Sequence, residues 1–235
     1  MTLRDAWEAE AENWVRWARA PGHDSYWQFH RDRFLDLLPP PGELTVDVGC
    51  GEGRFPRDLR RLGHKVIGID GSEILIRHAR EADPDGDYRV ADAAALPFDD
   101  GCADLVTAFM SLHDIDDMEA AVREIARILA PGGRICAALV HPINSAGRFS
   151  ERTPTAPFVI RDSYFDQRRY ADTVERDGLA MTFTSVHRPL QAIVDAFAAA
   201  NLLIERLVEL GDPNDEPGDR WTRIPLFLHL RARAA

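Results

Sequence analysis

The stretch LTVDVGCGEG, residues 44–53, runs an apolar strand into a turn with glycines at 49, 51 and 53. Leu44–Gly49 reads as a buried strand, and the glycines let bare backbone come close to a ligand. A G-x-G-x-x-G turn after a first strand points to a dinucleotide, whose pyrophosphate sits on the free N–H groups of the following helix. Here Arg54 stands where that pattern has its third glycine, and Asp47 puts a carboxylate at the anion site. In a partly dry cleft such a carboxylate repels a pyrophosphate and welcomes a cation.

Downstream, a regular alternation follows. Arg54–Leu62 reads as a short helix stopped by Gly63, and KVIGID (65–70) as a second strand. Ser72 caps a helix to about Ala82, Tyr88–Ala91 is a third strand and Asp104–Met110 a fourth. A helix over Met118–Ala130 starts at an Asp116/Asp117 cap and closes at Pro131-Gly132-Gly133, before a fifth strand at Arg134–Val140. This rhythm predicts βαβ units on a parallel sheet with right-handed crossovers.

Upstream, Trp7, Trp14, Val15 and Trp17 share one face of a helix that Pro21-Gly22 breaks. Asp24 or Ser25 caps a second helix, with Tyr26, Phe34, Leu35 and Leu38 turned inward, and Pro39–Gly42 ends it. The alternation lapses between 141 and 187, a long, polar and aromatic stretch of the kind that forms lids or binding loops. It resumes with a helix at Pro189–Asn201 and strands at Leu202–Leu210 and Pro225–Arg231, the loop GDPNDEPGD (211–219) lying between them. The expected organisation is one domain over 1–235, with a helical cap at 1–41 and a substrate-lid insertion at 141–187.

Two further acids fall at strand ends. Asp70 closes the second strand, where an acid holds a ribose in sheets of this topology, and Asp92 ends the third. Asp47, Asp70 and Asp92 thus ring one crevice at the carboxyl edge of the sheet. They call for a ligand with a cationic end, a ribose diol and a base.

VDVGCGEGR, GID, ADAAALPF and VREIARILAPGGRI resemble the successive motifs of class I S-adenosylmethionine-dependent methyltransferases, most nearly the small-molecule enzymes of the ubiquinone/menaquinone-biosynthesis type. The resemblance spans roughly residues 44–140, with a weaker likeness in HRPLQAIVDAFAAANLLIE. It implies a doubly wound α/β fold with a mostly parallel seven-stranded sheet of order 3-2-1-4-5-7-6, residues 225–231 being the antiparallel seventh strand. It implies that Asp47 and the backbone at Gly49 and Gly51 hold the methionyl part of S-adenosyl-L-methionine. Asp70 would take the ribose, Asp92 the adenine amino group with the Ala93 N–H beside it, and Phe109 and Met110 would line the sulfonium. Tyr26 lies where related enzymes fold a helix over the cofactor. The implied reaction is methyl transfer to oxygen or nitrogen of a small molecule. A nicotinamide-dependent oxidoreductase and a non-catalytic cofactor-binding subunit are the rival readings.

A general base matters for a hydroxyl acceptor. His113 (FMSLHD) and His141 (ALVHP) follow the fourth and fifth strands and are the candidate catalytic residues; His187 is a weaker one. Phe149, Phe158, Tyr164, Phe165 and Tyr170 are expected to line the acceptor pocket, and Arg148, Arg168 and Arg169 are cations that an anionic substrate could meet. The eight histidines show no metal spacing, so no metal is expected. A net charge of −11 disfavours nucleic acid as a partner. The three scattered cysteines suggest a reducing compartment, and neither a signal segment nor a membrane span is evident. The expectation is a cytoplasmic monomer or homodimer acting on a small molecule, with no nucleic acid and no membrane as partner.

Overall fold

The computed structural model describes residues 1–212 and 219–235. Along the chain come α1 (Leu3–Arg19), a π-helical turn (Tyr26–His30), α2 (Arg31–Leu35), β1 (Thr45–Val48), α3 (Arg54–Arg61), β2 (Val66–Asp70), α4 (Glu73–Ala82) and β3 (Asp87–Val90). Then follow β4 (Ala103–Phe109), α5 (Met118–Ile128), β5 (Leu129–Val140), α6 (Pro142–Ala146), β6 (Gly147–Phe149) and β7 (Phe158–Ile160). β8 (Arg168–Arg176), β9 (Leu179–His187), α7 (Leu190–Ala199), β10 (Leu202–Leu210) and β11 (Phe227–Ala234) complete it.

The main sheet has seven strands in the order β10-β11-β5-β4-β1-β2-β3. β1 to β5 pair in parallel, and β11 runs antiparallel between β5 and β10. Counting only sheet strands along the chain, this is the expected 3-2-1-4-5-7-6. All four residues of β1 are buried, as a central parallel strand covered on both faces requires. Alternate side chains split the core in two. Val46, Val106 and Ile135 meet α5 and α7 through Val122, Ile125 and Phe197. Leu105, Cys136 and Ala138 meet the opposite layer, made of Tyr26, Phe34, Leu37, Phe55 and Leu59.

The helices start where capping chemistry puts them. Thr2 and Asp5 form a capping box on α1, Ser72 Oγ accepts from Leu75 N (3.0 Å), and Asp117 accepts from Ala120 N (2.8 Å). The second helix departs from expectation. Ser25 stands at the N-cap without a side-chain cap bond, Asp24 just before it accepts from Tyr26 N at 3.1 Å, and the first turn is a π-turn. The wider turn keeps Tyr26, His30 and Phe34 on one inner face, and all three are at most 1% exposed. β5 begins at Leu129 rather than Arg134, because Leu129 pairs with Ala103 before the Pro-Gly-Gly run shifts the register.

The 141–187 stretch folds into α6 and two small antiparallel pairs, β6–β7 and β8–β9. The β8–β9 hairpin lies against α1, where Trp7 Nε1 donates to Thr184 O (3.2 Å) and Phe183 sits among Trp7, Trp14 and Trp17 at centroid distances of 5.9 to 6.4 Å within the cluster. At the hairpin tip Arg176 donates to Gly22 O (2.5 Å); near its base Arg169 pairs with Asp116. Most of the loop expected at 211–219 lies outside the described residues. Among the described residues no helix is long and apolar enough to cross a membrane.

Candidate functional site

A cavity of about 990 Å³ opens between the carboxyl edge of the sheet, α1 and the β8–β9 hairpin. Its floor is the glycine turn. Gly49, Gly51 and Gly53 all have positive φ (77°, 56° and 82°), which brings the turn back under β2: Gly49 N and Cys50 N both donate to Ile69 O, at 2.7 and 2.9 Å. Gly49 has no room for a side chain, since a Cβ there would stand 2.2 Å from Ser111 Cβ.

Asp47, at the end of β1, is 1% exposed and lines the cavity. Among the described residues the one hydrogen bond to its carboxylate comes from Thr107 Oγ1 on β4, at 2.5 Å. No basic side chain of the described residues pairs with it, so burial, reinforced by the Asp70 charge and only partly offset by Thr107, pushes its carboxyl up to about 7. Asp70 closes β2 and fastens two loops: Oδ2 accepts from Gly51 N (2.8 Å) and Oδ1 from Ser72 N (2.9 Å). Burial raises its pKa while these two N–H groups lower it. Asp92 is exposed at the mouth, where it accepts from Ala94 N (2.9 Å) beside Ala93. Phe109 and Met110 form the far wall. Phe109 stacks on Phe55 at 5.2 Å, and Met110 takes a φ of 54°, the left-handed strain that gathers at functional sites.

The structure therefore brings Asp47, Gly49, Gly51, Asp70, Asp92 and Ala93 to one cavity, together with Phe109, Met110 and His113. Two expected residues fall elsewhere. Tyr26 is fully buried behind Phe109, its ring 5.3 Å away, and its hydroxyl donates to Asp58 at 2.6 Å. Its place is structural support for the cavity wall, because its polar tip is committed to α3. Tyr26→Phe is expected to cost about 1 kcal/mol of stability by chemical denaturation, Asp58 keeping Arg31 and Arg61. Adenosylhomocysteine affinity should stay unchanged by calorimetry, and a large loss of affinity would restore the direct contact. His141 caps α6, its Nδ1 accepting from Ile143 N (3.1 Å), and its Nε2 meets Glu209 at 2.9 Å. Both ring nitrogens are occupied outside the cavity, so it is not placed to serve as a base there. His187 is likewise used up, by Ser145 Oγ (2.7 Å) and Tyr164 O (2.8 Å).

Of the five aromatics expected to line an acceptor pocket, only Tyr170 does. Phe149 packs on Phe158 and Trp221, the Tyr164 hydroxyl accepts from Leu190 N, and Phe165 is 75% exposed. Strand alternation makes the selection: Tyr170, Asp172, Val174 and Arg176 of β8 face the cavity, with Ser185 and Phe183 opposite the first two. Arg168 and Arg169 are engaged by Ala146 O and Asp116. Asp114, Ser185 and Thr107 are site residues that the sequence reading missed. Asp114 follows His113 directly in the quoted FMSLHD; the other two only tertiary pairing reveals.

The donor set suits one kind of ligand. A buried carboxylate with no basic partner among the described residues, beside a turn of bare backbone, and a second acid one strand over together match an ammonium group joined to a ribose. Comparison with known proteins agrees. The family described as "Methyltransferase domain" matches residues 46–137. Malonyl-[acyl-carrier protein] O-methyltransferase of Pectobacterium atrosepticum is 34% identical over 122 residues, 50% of this chain and 48% of that one. Demethylmenaquinone methyltransferase of Corynebacterium kroppenstedtii is 34% identical over 114 residues, 48% of each. The chain thus spans about half the length of these two curated relatives. A solved S-adenosylmethionine-dependent methyltransferase from Mesorhizobium loti superposes with a TM-score of 0.72 at 26% identity, over 89% of this chain and 98% of that chain. Residues 46–137, with the sheet they build, form a methyltransferase domain of the class I, S-adenosylmethionine-dependent kind.

Proposed function

We propose that this chain transfers a methyl group from S-adenosyl-L-methionine to oxygen or nitrogen of a small-molecule acceptor. The observation that carries the reading is Asp47: a cavity-lining carboxylate, 1% exposed, with no basic side chain of the described residues paired to it. Bound there, the cofactor would supply a methyl group activated by its sulfonium.

The protein's share is binding, orientation and exclusion of water. Asp47 and the backbone of Gly49 and Gly51 hold the methionyl end, Asp70 the ribose, and Asp92 with Ala93 the adenine. Phe109 and Met110 wall the reacting region. The β8–β9 hairpin and α1 act as the lid, with the acceptor beneath Tyr170 and Phe183. The likeness to a demethylmenaquinone methyltransferase supports a small acceptor. The three free cysteines support a reducing, cytoplasmic setting. The test is native mass spectrometry with adenosylhomocysteine and NADH in competition, then tritiated cofactor offered with a panel of aromatic amines and phenols. Preference for NADH ends the reading.

The charge on Asp47 also gives binding a pH dependence. Without ligand its carboxyl protonates as the pH falls through about 7. An ammonium needs the carboxylate form, so affinity for adenosylhomocysteine is full above that pH and falls by about tenfold per unit below it. Calorimetry from pH 5.5 to 8.5 reads this slope, and Asp47→Asn should bind more weakly and flatten it. A flat wild-type profile would separate Asp47 from the ammonium.

A further inference from the structure

We propose that Asp114 is the proton acceptor of this reaction, its Oδ2 taking the proton from the acceptor's N–H or O–H. The inference rests on the methyl-transfer reading above and adds the group that moves the proton.

Asp114 lies just past the end of β4, on the cavity wall, its side chain 12% exposed. Ser185 Oγ donates to Oδ1 at 2.5 Å. Among the described residues nothing bonds Oδ2. Tyr170, the cross-strand partner of Ser185, interacts with Ser185 and faces the Asp114 charge. The loop is held from behind by Arg188, which donates to the carbonyls of His113 (3.5 Å), Ile115 (2.7 Å) and Asp116 (3.1 Å). One oxygen is thus fixed and the other left open to the cavity, which is what a positioned base requires.

The surrounding charges leave that carboxyl basic. Arg188 lies behind it, its guanidinium committed to those carbonyls; Asp70 is across the cavity and Asp172 on β8. His113 Nε2 is 3.6 Å from Oδ1, but burial and Arg188 push the imidazole down to about 3, so it stays neutral and does not compensate. Burial is the main cause that pushes Asp114 up to about 8, with Asp70 reinforcing it and Ser185 and Arg188 opposing. His113, the sequence candidate, is too weak a base for the task near neutral pH.

The proton balance is simple. The acceptor's X–H bond breaks with its electron pair left on X, and X forms the new bond to the methyl carbon. The pair of the old carbon–sulfur bond stays on sulfur. The proton ends on Oδ2, and the neutral carboxylic acid returns it to water when product leaves.

Calorimetry in phosphate and in Tris at pH 8 counts the protons released when S-adenosylmethionine or adenosylhomocysteine binds. The first carries a cation at sulfur and the second does not. Wild type should release more protons with S-adenosylmethionine, by up to about half a proton, because a cation in the cavity ionises a half-protonated Asp114. Asp114→Asn should remove that difference and keep adenosylhomocysteine affinity, which also reports an intact fold. Ser185→Ala, losing the donor to the carboxylate, should move the largest difference to higher pH. With the best acceptor from the tritium panel, Asp114→Asn should lower kcat by about a hundredfold or more. The proposal falls if the proton difference survives in Asp114→Asn, if that variant turns over normally, or if it folds but no longer holds adenosylhomocysteine. Wild type binding neither ligand would instead overturn the methyltransferase reading itself, and this inference with it.

Discussion

Asp70→Asn should weaken adenosylhomocysteine binding by at least about a hundredfold. Both carboxylate oxygens of Asp70 already accept backbone N–H groups, one from Gly51 and one from Ser72. An amide presents an NH₂ where one oxygen stood, so it must face one of those donors with another donor. The turn then loses a charge-assisted bond, and on the proposed reading the ribose loses its anionic acceptor. At about 1.5–3 kcal/mol for each such bond, two losses amount to two decades of affinity or more. The thermal midpoint should fall as well, because the same bonds fasten the glycine turn to β2. Titration calorimetry of the purified variant decides the matter, and an affinity within tenfold of wild type would detach Asp70 from the cofactor.

Gly49→Ala should be the most damaging single-methyl change in the site. The new Cβ would meet Ser111 Cβ at 2.2 Å and its Oγ at 2.8 Å, at a φ of 77° that L side chains resist. Left-handed backbone costs about 1–2 kcal/mol and overpacking about 1–3 kcal/mol. For a chain of this size each kcal/mol lowers the midpoint by about 2–4 °C, so a fall of about 10 °C is expected. Ser111 is itself fixed, its Oγ donating to Val48 O at 2.6 Å. Adding Ser111→Gly to Gly49→Ala should recover part of the loss, since it removes the clash and leaves the φ strain. Two strictly additive destabilisations would show that the two positions do not collide.

The centre of the sheet was legible because strands such as β1 and β4 are buried on both faces and therefore read as apolar runs between glycine, proline and capping residues. The acids at the ends of β1, β2 and β3 were legible for a related reason: a parallel sheet delivers successive strand ends to one edge. What sequence reading lost was orientation. His141 and Tyr26 stand at plausible places along the chain, yet one side chain caps a helix and the other supports α3. The 141–187 stretch offers six aromatics, and only the strand parity of β8 and β9 tells that Tyr170 and Phe183 are the ones facing inward. Asp114 was hidden beside the more conspicuous His113. Its character comes from burial and from Ser185 on β9, 71 residues along the chain, which periodicity does not encode.

The roof over the cavity has a kinetic consequence. α1 and the β8–β9 hairpin are joined to each other through the tryptophan cluster around Phe183, and Arg176 and Arg169 tie the hairpin to Gly22 and Met1 on either side of α1, so one unit roofs the cavity. On the proposed reading, cofactor and acceptor share this one roof, so release of the spent cofactor and of the methylated product would belong to a single opening event, whose frequency would set a ceiling on turnover that no improvement in the chemical step can lift.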